Sequence, residues 1–191
     1  QWEKDGTAKK VFEISCQHIM ACQPVSLLAW LRDREPECIE KIQWIFSCKD
    51  YIRFRLTGEA FAELTDYSGD NFLNLRTGQY DEKLLELFGI PFAKDALPPL
   101  RKSTDICGYI TREAAEQTGL KEGTPVAGGM FDIDACDIAV AALEESQICM
   151  IAGTWSINEY VSEVPVTDGR VLMNSFSCIP NRYLIEESSA T

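Results

Sequence analysis

Gly123-Thr124-Pro125-Val126-Ala127-Gly128-Gly129-Met130-Phe131-Asp132 runs into Ile133 to Leu143, and the hydrophobic spacing changes along it. Pro125 to Ala127 is a short apolar run of the kind a buried strand shows, and Gly128-Gly129 punctuates it as a tight turn. Ile133 to Leu143 then has helical composition. Strand, glycine turn and helix together deliver the side chain at the helix start to the edge of a sheet, and here that side chain is Asp132. A second unit follows. Ile148 to Ala152 reads as a strand, Gly153-Thr154-Trp155-Ser156 as a turn and Ile157 to Val161 as the returning strand, a β-hairpin with glycine and hydroxyls at its tip.

Working outward, Pro24 suits the first position of a helix whose stripe is Val25, Leu27, Leu28 and Leu31 and which ends before Pro36. Ile42 to Phe46 reads as a short buried strand, and Asp50 as the N-cap of a helix that Gly58 stops. Thr65-Asp66-Tyr67-Ser68-Gly69-Asp70-Asn71 reads as a polar loop. Asp81 to Phe88 is a helix closed by Gly89, and Pro91, Pro98 and Pro99 mark a surface loop. Ile106 to Ile110 is a strand, Thr111 caps a helix that Gly119 stops, and Arg182–Ile185 is a last strand. Helices interleaved with short strands put the chain in the α/β class.

The 191 residues carry 18 Lys+Arg against 30 Asp+Glu, a formal charge of −12, with no cation-dense run to neutralise phosphates, so no nucleic-acid partner is expected. No apolar run approaches the roughly 18 residues that span a bilayer, and no signal segment opens the chain; a soluble, cytoplasmic protein with no membrane partner is the expectation. The start at Gln1 without a Met, and the stop at Thr191 directly after a strand, suggest a piece of something longer. The acidity is uneven: between Lys121 and Arg170 there is no Lys or Arg but nine acidic residues. A nucleotide bound there would be held by backbone N–H groups, hydroxyls and a divalent cation. The eight cysteines form no CxxC pair and the one histidine is His18, so no zinc site is expected and the cysteines read as mostly buried free thiols. His18 and Trp30 read as packing residues.

Asp132 supports two readings. It can cap the helix that begins at Ile133, or it can act as a carboxylate base that accepts a proton from a hydroxyl attacking a phosphoryl group. Asp134 and Asp137 lie on the same helix and are expected to face solvent, or water near a metal. Gly153-Thr154 is likewise either an ordinary hairpin turn or a phosphate-contacting one; no GxxxxGK[ST] loop is present.

Four ordered blocks carry a resemblance: Lys49-Asp50-Tyr51-Ile52-Arg53-Phe54-Arg55-Leu56-Thr57-Gly58-Glu59, Leu64-Thr65-Asp66-Tyr67-Ser68, Gly123 through Asp132, and Gly153-Thr154-Trp155. In these the chain resembles the FGGY family of carbohydrate kinases, most of all its L-xylulose kinase and xylulokinase branch. The resemblance implies an actin-like, ribonuclease-H-like ATPase fold, here partial, with two incomplete lobes. Residues 1–144 would be the closing part of the N-terminal sugar-binding lobe and 145–191 the opening of the nucleotide-binding lobe. It implies ATP and Mg²⁺ as cofactors, a sugar and a nucleotide as partners, and room for a homo-oligomer. By the same resemblance Asp132 is the base, Gly153 and Thr154 contact phosphate, and Phe131, Gln23 and Cys22 face the sugar, while Thr65 and Asp66 mark a loop without an assigned role. The family's opening Asp-x-Gly-Thr hairpin is not in this sequence, so the 191 residues alone are expected to be inactive. Two rivals remain at this point: a non-catalytic actin-like module that binds a sugar or a partner, and a small acidic α/β domain in which Asp132 is only a cap.

Overall fold

A computed structural model describes residues 1–153 and 155–190. Its first half is helical: α1 (Thr7–Ser15), α2 (Pro24–Arg34), the four-residue α3 (Pro36–Ile39) and α4 (Cys48–Thr57) precede the two-residue strand β1 (Ala62–Glu63) and the short helix α5 (Leu64–Ser68). A small hairpin, β2 (Leu73–Asn74) with β3 (Gln79–Tyr80), leads to α6 (Glu82–Phe88). The two-residue β4 (Leu100–Arg101) pairs in parallel with β1, and β5 (Ile106–Tyr109) pairs antiparallel with β6 (Pro125–Ala127) across α7 (Arg112–Thr118). After α8 (Asp132–Val140), strands β7 (Cys149–Ala152), β8 (Trp155–Ser162), β9 (Met173–Phe176) and β10 (Tyr183–Ala190) form an antiparallel sheet in the order β7-β8-β10-β9.

The helix ends follow their local chemistry. Pro24 opens α2, Asp81 accepts the Lys83 N–H at the start of α6, and Thr111 accepts the Ala114 N–H at the start of α7. Gly58, Gly89 and Gly119 close their helices in the left-handed region, as expected. Two apolar cores result. The larger gathers Val11, Val25, Leu28, Tyr67, Leu84 and Phe88 from α1, α2, α5 and α6 with Phe72 and Ile90 from the segments that follow α5 and α6; the smaller joins Ile133 of α8 to Val161, Met173 and Leu184 of the sheet. Strand β9 stitches them together: Phe176 N–H donates to Ser68 Oγ (2.8 Å) and Asn174 Nδ2 to the Cys16 carbonyl (2.8 Å).

Several expectations are corrected. Residues 42–46 form no strand; half-buried except at Gln43, they are held by the Ile45 N–H to the Ala96 carbonyl and by Phe46 stacked on Phe54, with no neighbouring strand to pair with among the described residues. Ser47, not Asp50, precedes α4, and Asp50 is fully buried inside it. Residues 65–68 of the expected loop belong instead to the helix α5, because the Glu63 carboxylate caps the N–H groups of Thr65 and Asp66, and only 69–71 are a turn. Helix α8 starts at Asp132 and stops at Val140, three residues early, where Ala141 turns left-handed. Asp134 and Asp137 face the sheet rather than solvent, at 1% and 2% exposure. Trp30 is exposed rather than packed, and the exposed His18 packs only at the surface, against Phe12. The cysteines are all free, but Cys22 and Cys48 are exposed and only Cys16, Cys107 and Cys149 are buried.

Candidate active site

Asp132 is the first residue of α8 and is exposed; its Oδ1 accepts the Ile133 N–H (2.9 Å). What distinguishes it from an ordinary cap is the loop that delivers it. Gly128 is buried so closely that a Cβ there would lie 2.4 Å from the Lys102 carbonyl oxygen, and Gly129 turns through a left-handed φ of +80°. The Gly128 N–H donates to Asp105 O (2.9 Å) and the Gly129 N–H to Ser103 O (3.1 Å). Arg53 Nη1 donates to the Gly128 carbonyl (2.5 Å) and the Phe131 N–H donates to Thr65 Oγ1 (2.8 Å). Every residue from Gly128 to Phe131 except Met130 is thus tied to a neighbouring element within four positions of Asp132.

The ties lead to one buried ionic network. The Thr65 hydroxyl donates to Glu63 Oε2 (2.7 Å) and Ser103 Oγ to Glu63 Oε1 (2.8 Å). Asp50 receives Arg53 (2.8 Å), Lys49 (2.9 Å) and the Glu63 N–H (2.9 Å). Lys49 also reaches Asp66 (2.9 Å) and Glu63 (3.4 Å). Burial works to lower the Lys49 pKa, but Asp66, Asp50 and Glu63 outweigh it and the ammonium is held charged. With Asp50, Glu63 and Arg53 all buried and every charge opposed, though Arg53 Nε lacks a hydrogen-bond partner, this is a cluster of the kind that fixes geometry rather than adding much stability. Asp70 lies at its edge. Desolvation, with Asp66, Asp50 and Asp132 adding to it against Lys49, pushes its carboxyl well above the usual range.

The other sequence-derived residues fall in different places. Gln23 is buried; its Oε1 accepts from Met20 N (3.0 Å) and Asn71 Nδ2 (2.8 Å), and its Nε2 donates to the Gly69 carbonyl (3.2 Å). Phe131 is half-buried with its ring against Gly69, where a Cβ would lie 2.8 Å from Cε1. Gln23 and Phe131 therefore meet at the same turn, while Cys22 beside Gln23 is exposed. Gly153 is exposed at the hairpin tip, its N–H donated to Trp155 O (3.0 Å); Thr154 lies outside the described residues. Cavities of about 470 and 400 Å³ open beside Trp2 and Trp30, and none of these residues lines either. Sequence reasoning passed over Glu63, Arg53, Ser103 and Asp70; the only signal for them was the Lys-Asp and Thr-Asp pairs of the first two blocks.

Residues 1–139 match the N-terminal domain of the FGGY family of carbohydrate kinases. The chain belongs to that family. Over its whole length it is 38% identical to a probable L-xylulose kinase of Haemophilus influenzae and 34% identical to the L-xylulose/3-keto-L-gulonate kinase of Escherichia coli. In each case it spans 39% of the relative's length. Among solved FGGY-type structures, xylulose kinase from Rhodospirillum rubrum superposes with a TM-score of 0.89 at 24% identity, over 99% of this chain and 38% of that one. A gluconate kinase from Lactobacillus acidophilus superposes with a TM-score of 0.86 at 23% identity, over 97% and 37%. The fold is accordingly the partial actin-like ATPase architecture of the FGGY kinases.

Proposed function

We propose that the full-length protein is an ATP-dependent carbohydrate kinase that phosphorylates a hydroxyl of a ketopentose such as L-xylulose, or of a related polyol. The observation that carries this reading is the exposed Asp132 carboxylate on a loop clamped from Gly128 to Phe131. A group held this firmly yet left open to solvent is suited to act on a bound substrate. In the reaction, Asp132 takes the proton of the sugar hydroxyl as its oxygen bonds to the terminal phosphorus of ATP, and the bond from that phosphorus to ADP breaks.

Residues 1–144 are the closing part of the sugar-binding lobe in this reading, with Phe131 and the exposed Cys22 toward the sugar and Gln23 positioning the Gly69 turn beneath Phe131. Residues 145–191 begin the nucleotide lobe, where Gly153 and Thr154 take the phosphates. The magnesium that accompanies ATP takes oxygen donors, the phosphate oxygens of the nucleotide among them, and the 122 to 169 stretch offers it no competing Lys or Arg. When bound, the ion would offset charge on the phosphoryl oxygens. The absence of Asp-x-Gly-Thr from these 191 residues leads us to expect no phosphorylation from them alone, and a cytoplasmic location for the full-length enzyme is part of this proposal.

A screen of the full-length protein with ATP over pentuloses, polyols and glycerol tests the proposal. Turnover is expected with a pentulose; no phosphorylation of any of them would overturn it in favour of a non-catalytic module.

A further inference from the structure

Register places three unusual side chains in one row across the main sheet. Cys149 on β7 pairs with Glu159 on β8, and Glu159 pairs in turn with Glu186 on β10. All three are buried, at 5%, 0% and 6% exposure. Helix α8 packs on β7 and sets Asp137, 2% exposed, over the same row. One ligand atom each from Asp137, Cys149 and Glu159 lie within 4.8 Å of one another.

This arrangement is costly as it stands. Like charges directly opposite in a sheet repel, and a buried carboxylate without a partner loses its hydration for nothing. Both oxygens of Asp137 and both of Glu159 are buried without a hydrogen-bond partner. Among the described residues no ion pair reaches any of the four side chains; Arg182, just before β10, pairs with Glu145 and Glu163. None of the four takes part in the phosphoryl transfer described above. One oxygen of each carboxylate lies close to the Cys149 sulfur and to the other, so a single cation could neutralise the row, and the sulfur favours a borderline-soft ion over a hard one.

We propose that Asp137, Cys149 and Glu159 bind one divalent cation of the zinc class, with Glu186 next in the row as a further oxygen donor. Tetrahedral bonds of about 2.0–2.3 Å place ligand atoms about 3.5 Å apart, a separation the present spacing reaches by small side-chain rotations. On binding, the Cys149 S–H bond breaks, its proton passes to water and the sulfur–metal bond forms. The ion would staple α8, five residues beyond Asp132, to the hairpin that carries Gly153. The site stands independently of the kinase reading.

The full-length protein, stripped with a chelator and titrated with Co²⁺, tests this. One equivalent should bind with a thiolate-to-cobalt charge-transfer band, be displaced by Zn²⁺ and raise the thermal midpoint. Cys149→Ser should abolish the band, and Glu159→Gln should weaken binding by at least the roughly 10–100-fold that loss of an outer-shell partner costs. Should Cys149→Ser fail to fold, Asp137→Asn reads the same affinity loss. A titration without the band, a band that survives Cys149→Ser, or unchanged affinity in Glu159→Gln or Asp137→Asn would overturn the site; the first would mean that protons alone neutralise the row, the second that an exposed thiol such as Cys22 or Cys48 holds the ion.

Discussion

The position of Asp132 depends on one hydroxyl. Thr65 accepts the Phe131 N–H and donates to Glu63, so it links the buried ionic network to the residue before the carboxylate. Thr65→Val keeps the shape but strands the Phe131 N–H and removes the shortest bond to Glu63 Oε2, which should cost about 1–3 kcal/mol in urea unfolding. It should also lower kcat more than it raises KM, with Thr65→Ser restoring both; equal kinetics in the valine and serine variants would refute the positioning role. Gly128 makes a complementary case, because its constraint is space. Gly128→Ala pushes a methyl against the Lys102 carbonyl and should destabilise by about 1–3 kcal/mol, read as a lowered thermal midpoint. Both residues sit in blocks that were conspicuous in the sequence, yet their roles were not legible there: a Thr beside an Asp looks like turn chemistry until Glu63 and Phe131 are seen on either side of it. Asp50 was misread for the same reason, since an acidic residue before an apolar run signals a cap unless Lys49 and Arg53 are known to surround it.

Local signals decided most elements. Glycine stops, proline starts and the hairpin over 148–161 were readable because each depends on a few adjacent residues. What failed depended on distant partners: residues 42–46 have strand-like composition but nothing to pair with, and α8 has polar residues that a weakly amphipathic pattern assigns to solvent. Asp134 shows why that assignment was wrong. Its Oδ1 accepts from Ser177 Oγ (2.9 Å) and the Cys178 N–H (3.0 Å), anchoring α8 to the turn after β9. Burial outweighs these bonds and pushes its carboxyl up to about 6. Its stabilising contribution is therefore whole below the unfolded value of 3.8 and is lost as pH rises to about 6, because the unfolded chain ionises first. The slope from this group is at most about 1.4 kcal/mol per pH unit. Asp134→Asn keeps the acceptor and should flatten that window. Urea midpoints of the two proteins from pH 4 to 7 should differ by a pH-dependent amount; a constant difference would contradict the anchor's titration. The Asp137, Cys149 and Glu159 cluster was invisible to spacing rules because its members come from three elements and meet only through strand register.

At the scale of the molecule, the chain joins a helical half to an antiparallel sheet through β9, and places Asp132 on the helix where the two cores meet. The uneven charge fits this division. The cations concentrate in the first half, where Lys49 and Arg53 neutralise the network behind the site, while the 122–169 stretch has none to offer a phosphate. In the proposed reaction this arrangement presents one carboxylate to a sugar hydroxyl. Turnover of the full-length protein and of its Asp132→Asn variant, compared under saturating ATP with the best pentulose, tests it most directly. Loss of a general base predicts a fall of about 10²–10⁴-fold with the fold intact by circular dichroism; an unchanged rate would contradict it.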